Sequence, residues 1–175
     1  MTEKALFKET SKENMIIFIN GSINSGKTTV AKLLADKLGN TALLEVDSLR
    51  SFIQWLPLEA AVPINLENAV ALINIFVSKG LNVIMPYPLS KDNYKYLFDN
   101  LKEVNEKIKV FTLSPKLEIA LTNRGTRELS DSEKDRIKHH YAIGIQNPEF
   151  GVIIDNSSET PEQTTEQILE KLKNK

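Results

Sequence analysis

Residues 21–28 have the sequence Gly-Ser-Ile-Asn-Ser-Gly-Lys-Thr, and this stretch decides how the rest of the chain is interpreted. It fits the pattern G-x-x-x-x-G-K-[ST], in which glycines let backbone amides approach phosphate oxygens closely. The apolar run before it predicts a strand, and the spacing of apolar residues from Lys27 onward predicts a helix. The N-terminus of that helix adds its positive dipole end to the site. The stretch is therefore predicted to be a phosphate-binding loop (P-loop) rather than an ordinary Gly-Lys turn.

Each polar position of the P-loop has an expected part in holding a nucleotide. The ammonium group of Lys27 is expected to contact the β- and γ-phosphates, and the hydroxyl of Thr28 is expected to bind Mg²⁺. The candidate nucleotide-binding residues are Gly21, Ser22, Asn24, Ser25, Gly26, Lys27, Thr28 and Thr29. ATP and Mg²⁺ are the expected cofactors, and the pattern does not distinguish ATP from GTP.

Strands and helices are predicted to alternate along the chain on both sides of the P-loop. The predicted strands cover residues 15–20, 42–46, 81–85, 107–113 and 152–154. Helix starts are indicated at Ser90, at Ser114-Pro115, at Ser130 with Glu133, and at Thr160-Pro161 with Gln163. Pro86 is expected to end the third strand, since proline cannot donate a ladder hydrogen bond. Mostly continuous apolar strands are typical of parallel strands covered on both faces, so we expect a three-layer α/β fold with a five-stranded parallel sheet.

Length, composition and charge narrow the class of protein. A chain of 175 residues fits one domain, expected over 15–175 behind a polar tail of residues 1–14. The formal net charge of -1 gives no reason to expect nucleic acid or a membrane surface as a partner. No apolar run is expected to reach the roughly 20 residues that a membrane span needs. The absence of cysteine and of an apolar leader favours a cytoplasmic location.

Asp47 is a candidate for both catalysis and metal binding. It follows the second predicted strand, and ligands of open parallel sheets bind at the carboxyl ends of the strands. A carboxylate at that place can orient or deprotonate an acceptor hydroxyl, or bind Mg²⁺. The alternative is that Asp47 or Ser48 starts a short helix. Lys27 and Asp47 are thus the first two candidate catalytic residues.

Arg124 and Arg127 complete the set of candidate catalytic residues. They lie in a polar stretch, Asn-Arg-Gly-Thr-Arg-Glu-Leu, between two predicted helices. Guanidinium groups match phosphate oxygens in bidentate geometry and stabilise charge during phosphoryl transfer. We therefore predict a lid around residues 124–131. The alternative is a solvated basic turn paired with Glu128.

Two further groups of residues leave their roles more open. His139 and His140, on the helix after the predicted lid, are interpreted as a surface pair rather than as metal ligands. Four apolar residues in the irregular segment 48–63 either wall a substrate pocket beside Asp47 or pack as core. They are Phe52, Ile53, Trp55 and Leu56.

With these residues in place, the chain resembles the small P-loop kinases of metabolites, the group of shikimate, gluconate and adenylylsulfate kinases, and above all the chloramphenicol phosphotransferase-like branch. The resemblance spans about residues 15–173 and is carried by 17–28, by Val46-Asp47-Ser48-Leu49, by 123–127, and by 152–156 with Thr160-Pro161-Glu162. It implies a five-stranded parallel sheet, Mg-ATP as donor, a hydroxyl acceptor near Asp47 and a lid bearing Arg124 and Arg127. The chain departs from that branch at Met85-Pro86, where Asp-Asp commonly ends the third strand, and at Thr126, where Asp is usual.

The function expected from these features is an ATP-dependent phosphotransferase, a kinase that moves a γ-phosphoryl group to a hydroxyl of a small molecule. The alternative is an ATP-binding or slowly hydrolysing module without transferase activity. The lack of an acidic residue after the third strand favours this alternative, whereas Asp47 and the two arginines favour the kinase. A nucleic-acid or translation factor is a third class, and the near-neutral charge without a basic stripe counts against it.

Overall fold

A parallel sheet of five strands, in the order β2-β3-β1-β4-β5, forms the middle layer of the computed structural model, which describes residues 14–101, 104, 107–123 and 128–173. The strands are β1 (Ile16–Gly21), β2 (Thr41–Leu43), β3 (Asn82–Pro86), β4 (Ile108–Leu113) and β5 (Val152–Ile154). The helices are α1 (Lys27–Leu38), α2 (Val46–Leu49), α3 (Leu58–Ser78), α4 (Lys91–Asn100), α5 (Leu117–Ala120), α6 (Asp131–Ala142) and α7 (Pro161–Lys173), with a 3₁₀ turn at Arg50–Ile53. The predicted α/β fold with five parallel strands is confirmed.

Apolar side chains cover both faces of the central strand β1. Ile16 and Phe18 pack among residues of α3 and α4, whereas Ile17 and Ile19 pack among residues of α1 and α7. Successive side chains of a strand point to opposite faces, so a strand covered on both faces is apolar at every position. All four side chains are fully buried, and each contributes about 1.5–3 kcal/mol relative to an exposed position. This burial explains the unbroken apolar run that precedes the P-loop.

Pro86 is the last residue of β3, so the strand ends one residue later than the predicted end at Met85. It lies opposite Ile19 of β1. The N–H of the next residue, Tyr87, donates to the Ile19 carbonyl at 3.1 Å, so the nitrogen of Pro86 is directed to the other side, towards β2. β2 ends at Leu43, before the position that faces Pro86. The missing N–H of Pro86 therefore does not remove a hydrogen bond between β3 and β2.

Two element boundaries around α2 differ from the predicted ones. β2 ends at Leu43 rather than at Val46, because Val46 begins the short helix α2. Most of the segment predicted to be irregular is helical, since α3 begins at Leu58 and continues through Pro63. Pro63 is exposed in the second turn of α3, where it removes one helical hydrogen bond near the start of a long helix.

Three of the four predicted helix starts are confirmed by side-chain caps. The capping side chains are Ser90 for α4, Ser130 with Glu133 for α6, and Thr160 with Gln163 for α7. The prediction at Ser114-Pro115 is wrong, because α5 begins at Leu117 after Lys116. The three confirmed caps depend on residues three positions apart, which is why local sequence reveals them.

Within the described ranges, α3 alone is long and apolar enough to cross a membrane, with a mean hydropathy of 1.6. The expectation that no segment is long and apolar enough to span a membrane is therefore wrong for α3 when length and hydropathy alone are considered. One side of α3 nevertheless packs on the sheet, through Ala61, Leu66, Ala69, Ile73 and Val77. That is the arrangement of a helix in the outer layer of an α/β fold.

Candidate nucleotide-binding site

The P-loop connects β1 to α1 with a backbone that glycine makes possible. Gly21 has φ 142° and Gly26 has φ 93°. A Cβ atom on Gly21 would lie 2.6 Å from the Leu113 carbonyl oxygen and 2.6 Å from Ser25 Oγ, so a larger residue does not fit. Gly26 leads directly into α1, whose first backbone amides have no partner within the helix and are available to a phosphate.

Asn20 connects the start of the P-loop to neighbouring parts of the fold through hydrogen bonds. Its side chain is fully buried. Its Nδ2 donates to Thr112 Oγ1 at 3.0 Å and to the Ile145 carbonyl at 2.9 Å, and its Oδ1 accepts from the Leu89 N–H at 2.7 Å. One side chain thereby joins β1, β4 and the segments that follow β3 and α6.

Two more asparagines hold the far side of the P-loop. Asn24 has φ 62°, and its Nδ2 donates to the carbonyls of Ala120 and Thr122 at 2.8 Å each. Asn156, just after β5, donates from Nδ2 to the Ser25 carbonyl at 3.0 Å. The loop is therefore held in shape by side chains from separate parts of the chain, as a preformed phosphate site requires.

The ammonium group of Lys27 lies across the P-loop. Its Nζ donates to the Ser22 carbonyl at 2.6 Å. Burial lowers the pKa of Lys27 from 10.5 to about 8, while the charge of Asp47 raises it and that of Arg136 lowers it further. A bound phosphate would place negative charge next to this positively charged ammonium group. The placement of Lys27 is compatible with its predicted role.

Asp47 lies in the first turn of α2 and not at the end of a strand. It is exposed, and its charge raises the pKa of Tyr87 as well as that of Lys27, although burial is the larger cause at Tyr87. The residue before α2 is Glu45, which makes no side-chain cap and pairs with Lys32 at 3.5 Å. Asp47 therefore shares the carboxyl edge of the sheet with the P-loop, even though α2 replaces the predicted end of β2.

Helix α6 brings two unassigned residues to the same edge. The charge of Arg136 lowers the pKa of both Lys27 and His140, which places Arg136 near them. His140 is only 9% exposed, and its Nδ1 lies 3.3 Å from Ser22 Oγ. The interpretation of a surface histidine pair is thus wrong for His140 and correct only for His139. The available sequence signal was the spacing of four residues between Arg136 and His140, which places both on one side of a helix.

The predicted lid is only partly covered by the structure. Arg124 and Arg127 lie outside the described residues, so their role remains a prediction. On the two sides of them, the Leu129 N–H donates to Asn123 Oδ1 at 3.2 Å. Residues 130–131 belong to the capped start of α6 rather than to a loop. The described ends of the lid segment are therefore held close together.

Two of the four apolar residues after Asp47 do not form a core, whereas Ile53 and Leu56 are partly buried. Phe52 is 81% exposed and Trp55 is 80% exposed. They lie three residues apart, in and just after the 3₁₀ turn that follows α2. Of the two alternatives, core packing is excluded for this pair.

Thr28 and Asp47 are the residues that could hold Mg²⁺. Both side chains are exposed at the carboxyl edge. Nowhere in the described part of the chain do three or more His, Cys, Asp or Glu side chains gather as a metal site. Mg²⁺ commonly takes one or two protein oxygens and completes its shell with phosphate oxygens and water. A hydroxyl and one carboxylate therefore fit a metal ion that binds together with a nucleotide.

Comparison with known proteins identifies the family to which the chain is similar. The family model described as Zeta toxin matches residues 1–144. A protein of Sulfurisphaera tokodaii described as "Putative adenylate kinase" is 31% identical in an alignment of 162 residues, which covers 89% of this chain and 81% of that protein. Both matches include the P-loop and the segment with Asp47.

Two solved structures described as kinases share this fold. A sugar kinase from Janibacter sp. superposes with a TM-score of 0.68 at 21% identity, over 91% of this chain and 95% of that chain. The APS kinase of Mycobacterium tuberculosis has a TM-score of 0.68 at 17% identity, over 93% of this chain and 99% of that chain. These likenesses show the fold of the small P-loop kinases and confirm the resemblance drawn from the sequence.

Proposed function

The chain belongs to the Zeta toxin family and has the fold of the small P-loop kinases, and from this premise we propose that it transfers the γ-phosphoryl group of ATP to a hydroxyl group of a small molecule. One observation carries the proposal: the charge of a carboxylate, Asp47, acts on the P-loop lysine at the edge where parallel sheets bind ligands. A carboxylate at this edge can accept the proton of an acceptor hydroxyl.

On the donor side, the P-loop amides and Lys27 hold the phosphates, and Thr28 and Asp47 are the candidate Mg²⁺ ligands. When bound, Mg²⁺ neutralises part of the phosphate charge. The guanidinium group of Arg136, with Arg124 and Arg127 from the predicted lid, stabilises charge on the phosphoryl group as it moves. Phosphoryl transfer depends mainly on such positioning and electrostatic stabilisation.

On the acceptor side, Asp47 orients the hydroxyl and accepts its proton. The acceptor oxygen forms a bond to the γ-phosphorus, and the bond from that phosphorus to the β–γ bridging oxygen breaks. The products are a phosphate monoester and ADP. Phe52 and Trp55 follow Asp47 on an exposed turn, so we propose that they contact the acceptor.

A nucleotide phosphate is the second candidate acceptor, and the adenylate kinase description of the relative favours it. A phosphate oxygen is already anionic near neutral pH, so it needs no base. The charge of Asp47 would also repel it. The position of Asp47 therefore ranks a hydroxyl acceptor above a phosphate acceptor.

The test is a screen for acceptor-dependent ADP release. The panel contains hydroxyl-bearing metabolites, sugars, hydroxyl-bearing antibiotics and nucleoside monophosphates, with a reaction lacking any acceptor as control. Phosphorylation of a hydroxyl supports the proposal, and phosphorylation of a nucleoside monophosphate supports the second candidate. ADP release that no acceptor changes would instead indicate a slowly hydrolysing module.

Acceptor binding has a built-in reporter, because Trp55 is the single tryptophan of the chain and is exposed. An acceptor that covers its ring should shift its fluorescence emission. The matched control is Trp55→Phe, which keeps an aromatic ring and removes the signal. A confirmed acceptor that leaves the emission unchanged would remove Trp55 from the proposed acceptor wall.

A further inference from the structure

We infer that His140 is a positioning residue that ties α6 to the P-loop and thereby sets the position of Lys27 relative to Arg136. The inference goes beyond the proposed function in assigning a residue outside the P-loop and the lid. It rests on the proposed function only for its turnover measurement. The measurement of ATP affinity does not depend on the proposed function.

The contact runs through one residue of the P-loop. His140 Nδ1 lies 3.3 Å from Ser22 Oγ, and both residues are buried. The carbonyl of the same serine accepts the hydrogen bond from Lys27 Nζ at 2.6 Å. Ser22 therefore connects His140 of α6 to Lys27 of the P-loop. Ser22 and His140 are 118 residues apart in the sequence.

Burial is the main influence on the protonation of His140. Burial and the positive charges of Lys27, Arg136 and His139 lower its pKa from 6.5 to about 4. Its imidazole is therefore neutral at pH 7. A neutral imidazole has one donor and one acceptor nitrogen, so Nδ1 shares a hydrogen bond with the Ser22 hydroxyl in either tautomer. The contribution of His140 is geometric.

The position of α6 gives this contact a functional consequence. The helix begins directly after the segment that contains the predicted lid arginines, and it carries Arg136 one turn before His140. A hydrogen bond from this turn to Ser22 holds the part of α6 that carries Arg136 at a constant place relative to the P-loop. Because the contact also positions Lys27, losing it should lower ATP affinity. Turnover should fall further, since Arg136 acts on a charge that develops during transfer.

The experiment compares two substitutions of the histidine with a neighbour as control. His140→Leu keeps much of the volume and removes the hydrogen bond, whereas His140→Asn keeps a polar atom near the position of Nδ1. His139→Leu is the matched control, because His139 is exposed on the same helix. ATP affinity by calorimetry, turnover with an identified acceptor and melting temperature are measured for each variant.

The expected result is a loss of turnover of about tenfold in His140→Leu, most of it restored in His140→Asn, with the His139 control unchanged. Ser22→Ala breaks the same contact from the loop side. Combined with His140→Leu, it should cost no more than the larger single effect, since the two changes remove one interaction. If His140→Leu does not fold, Ser22→Ala and His140→Asn still test the contact.

Two results would overturn the inference. Additive effects in the double variant would show that the two residues act separately. Turnover losses that follow the melting temperature and are equal in the Leu and Asn variants would make His140 an ordinary core residue. If the wild-type protein transfers no phosphoryl group, the proposed function fails. The same cycle in ATP affinity then decides on His140 alone, with additivity again counting against it.

Discussion

The lowered pKa of Lys27 leads to a definite dependence of ATP affinity on pH. Burial is the main cause of the low value of about 8, and the ammonium group is half neutral at that pH when no nucleotide is bound. Only the charged form attracts phosphate. A triphosphate beside Nζ raises the pKa again, so binding requires proton uptake once the pH exceeds 8. Raising the pH is therefore the perturbation, and it acts without any mutation.

The size of the effect follows from the protonated fraction of Lys27. With a pKa of about 8, this fraction falls from about nine-tenths at pH 7 to about one-tenth at pH 9. Apparent affinity scales with the fraction of protein in the binding-competent form. We expect the affinity for ATP to fall about tenfold over this range, which corresponds to about 1.4 kcal/mol.

Calorimetry of ATP binding at pH 7, 8 and 9 measures this fall, and buffers of different ionisation enthalpy report the proton uptake. Lys27→Arg is the matched control, because a guanidinium group stays charged throughout the range. Titration of the nucleotide or of other protein groups affects both proteins alike. An affinity that does not change in the wild type, or that changes equally in Lys27→Arg, would refute the reasoning from burial.

Substitutions at four other positions test three separate parts of the site. Asp47→Asn should lower turnover by about 10²-fold or more with little change in ATP affinity, and near-normal kinetics would leave Asp47 a residue of α2 without a catalytic role. Arg127→Ala, and similarly Arg124→Ala, should reduce turnover by about 10³-fold with an unchanged melting curve, and Lys at either position should restore only part of it. Asn20→Ala removes three hydrogen bonds and should lower the free energy of unfolding by about 3 kcal/mol in denaturant titrations; a change below about 1 kcal/mol would show that water replaces the side chain.

The features that could be predicted depend on residues close together in sequence. The P-loop was recognisable because its glycines and Lys27 lie within one run of eight residues and because a strand and a helix flank it. The caps at Ser130 and Thr160 depend on partners three positions away. The alternation of apolar strands with amphipathic helices was enough to predict a parallel sheet, since each strand of such a sheet is covered on both faces.

Features that depend on partners distant in sequence were decided only by the tertiary structure. Pro86 is tolerated in β3 because β2 ends before reaching it, and that end depends on where α2 begins. His140 is buried because α6 packs against a loop more than a hundred residues earlier. The same packing lowers the pKa of Lys27, since burial and the surrounding charges are properties of the assembled site. The sequence alone thus determined the kind of loop and fold, whereas the neighbours of each charged group depended on how the layers came together.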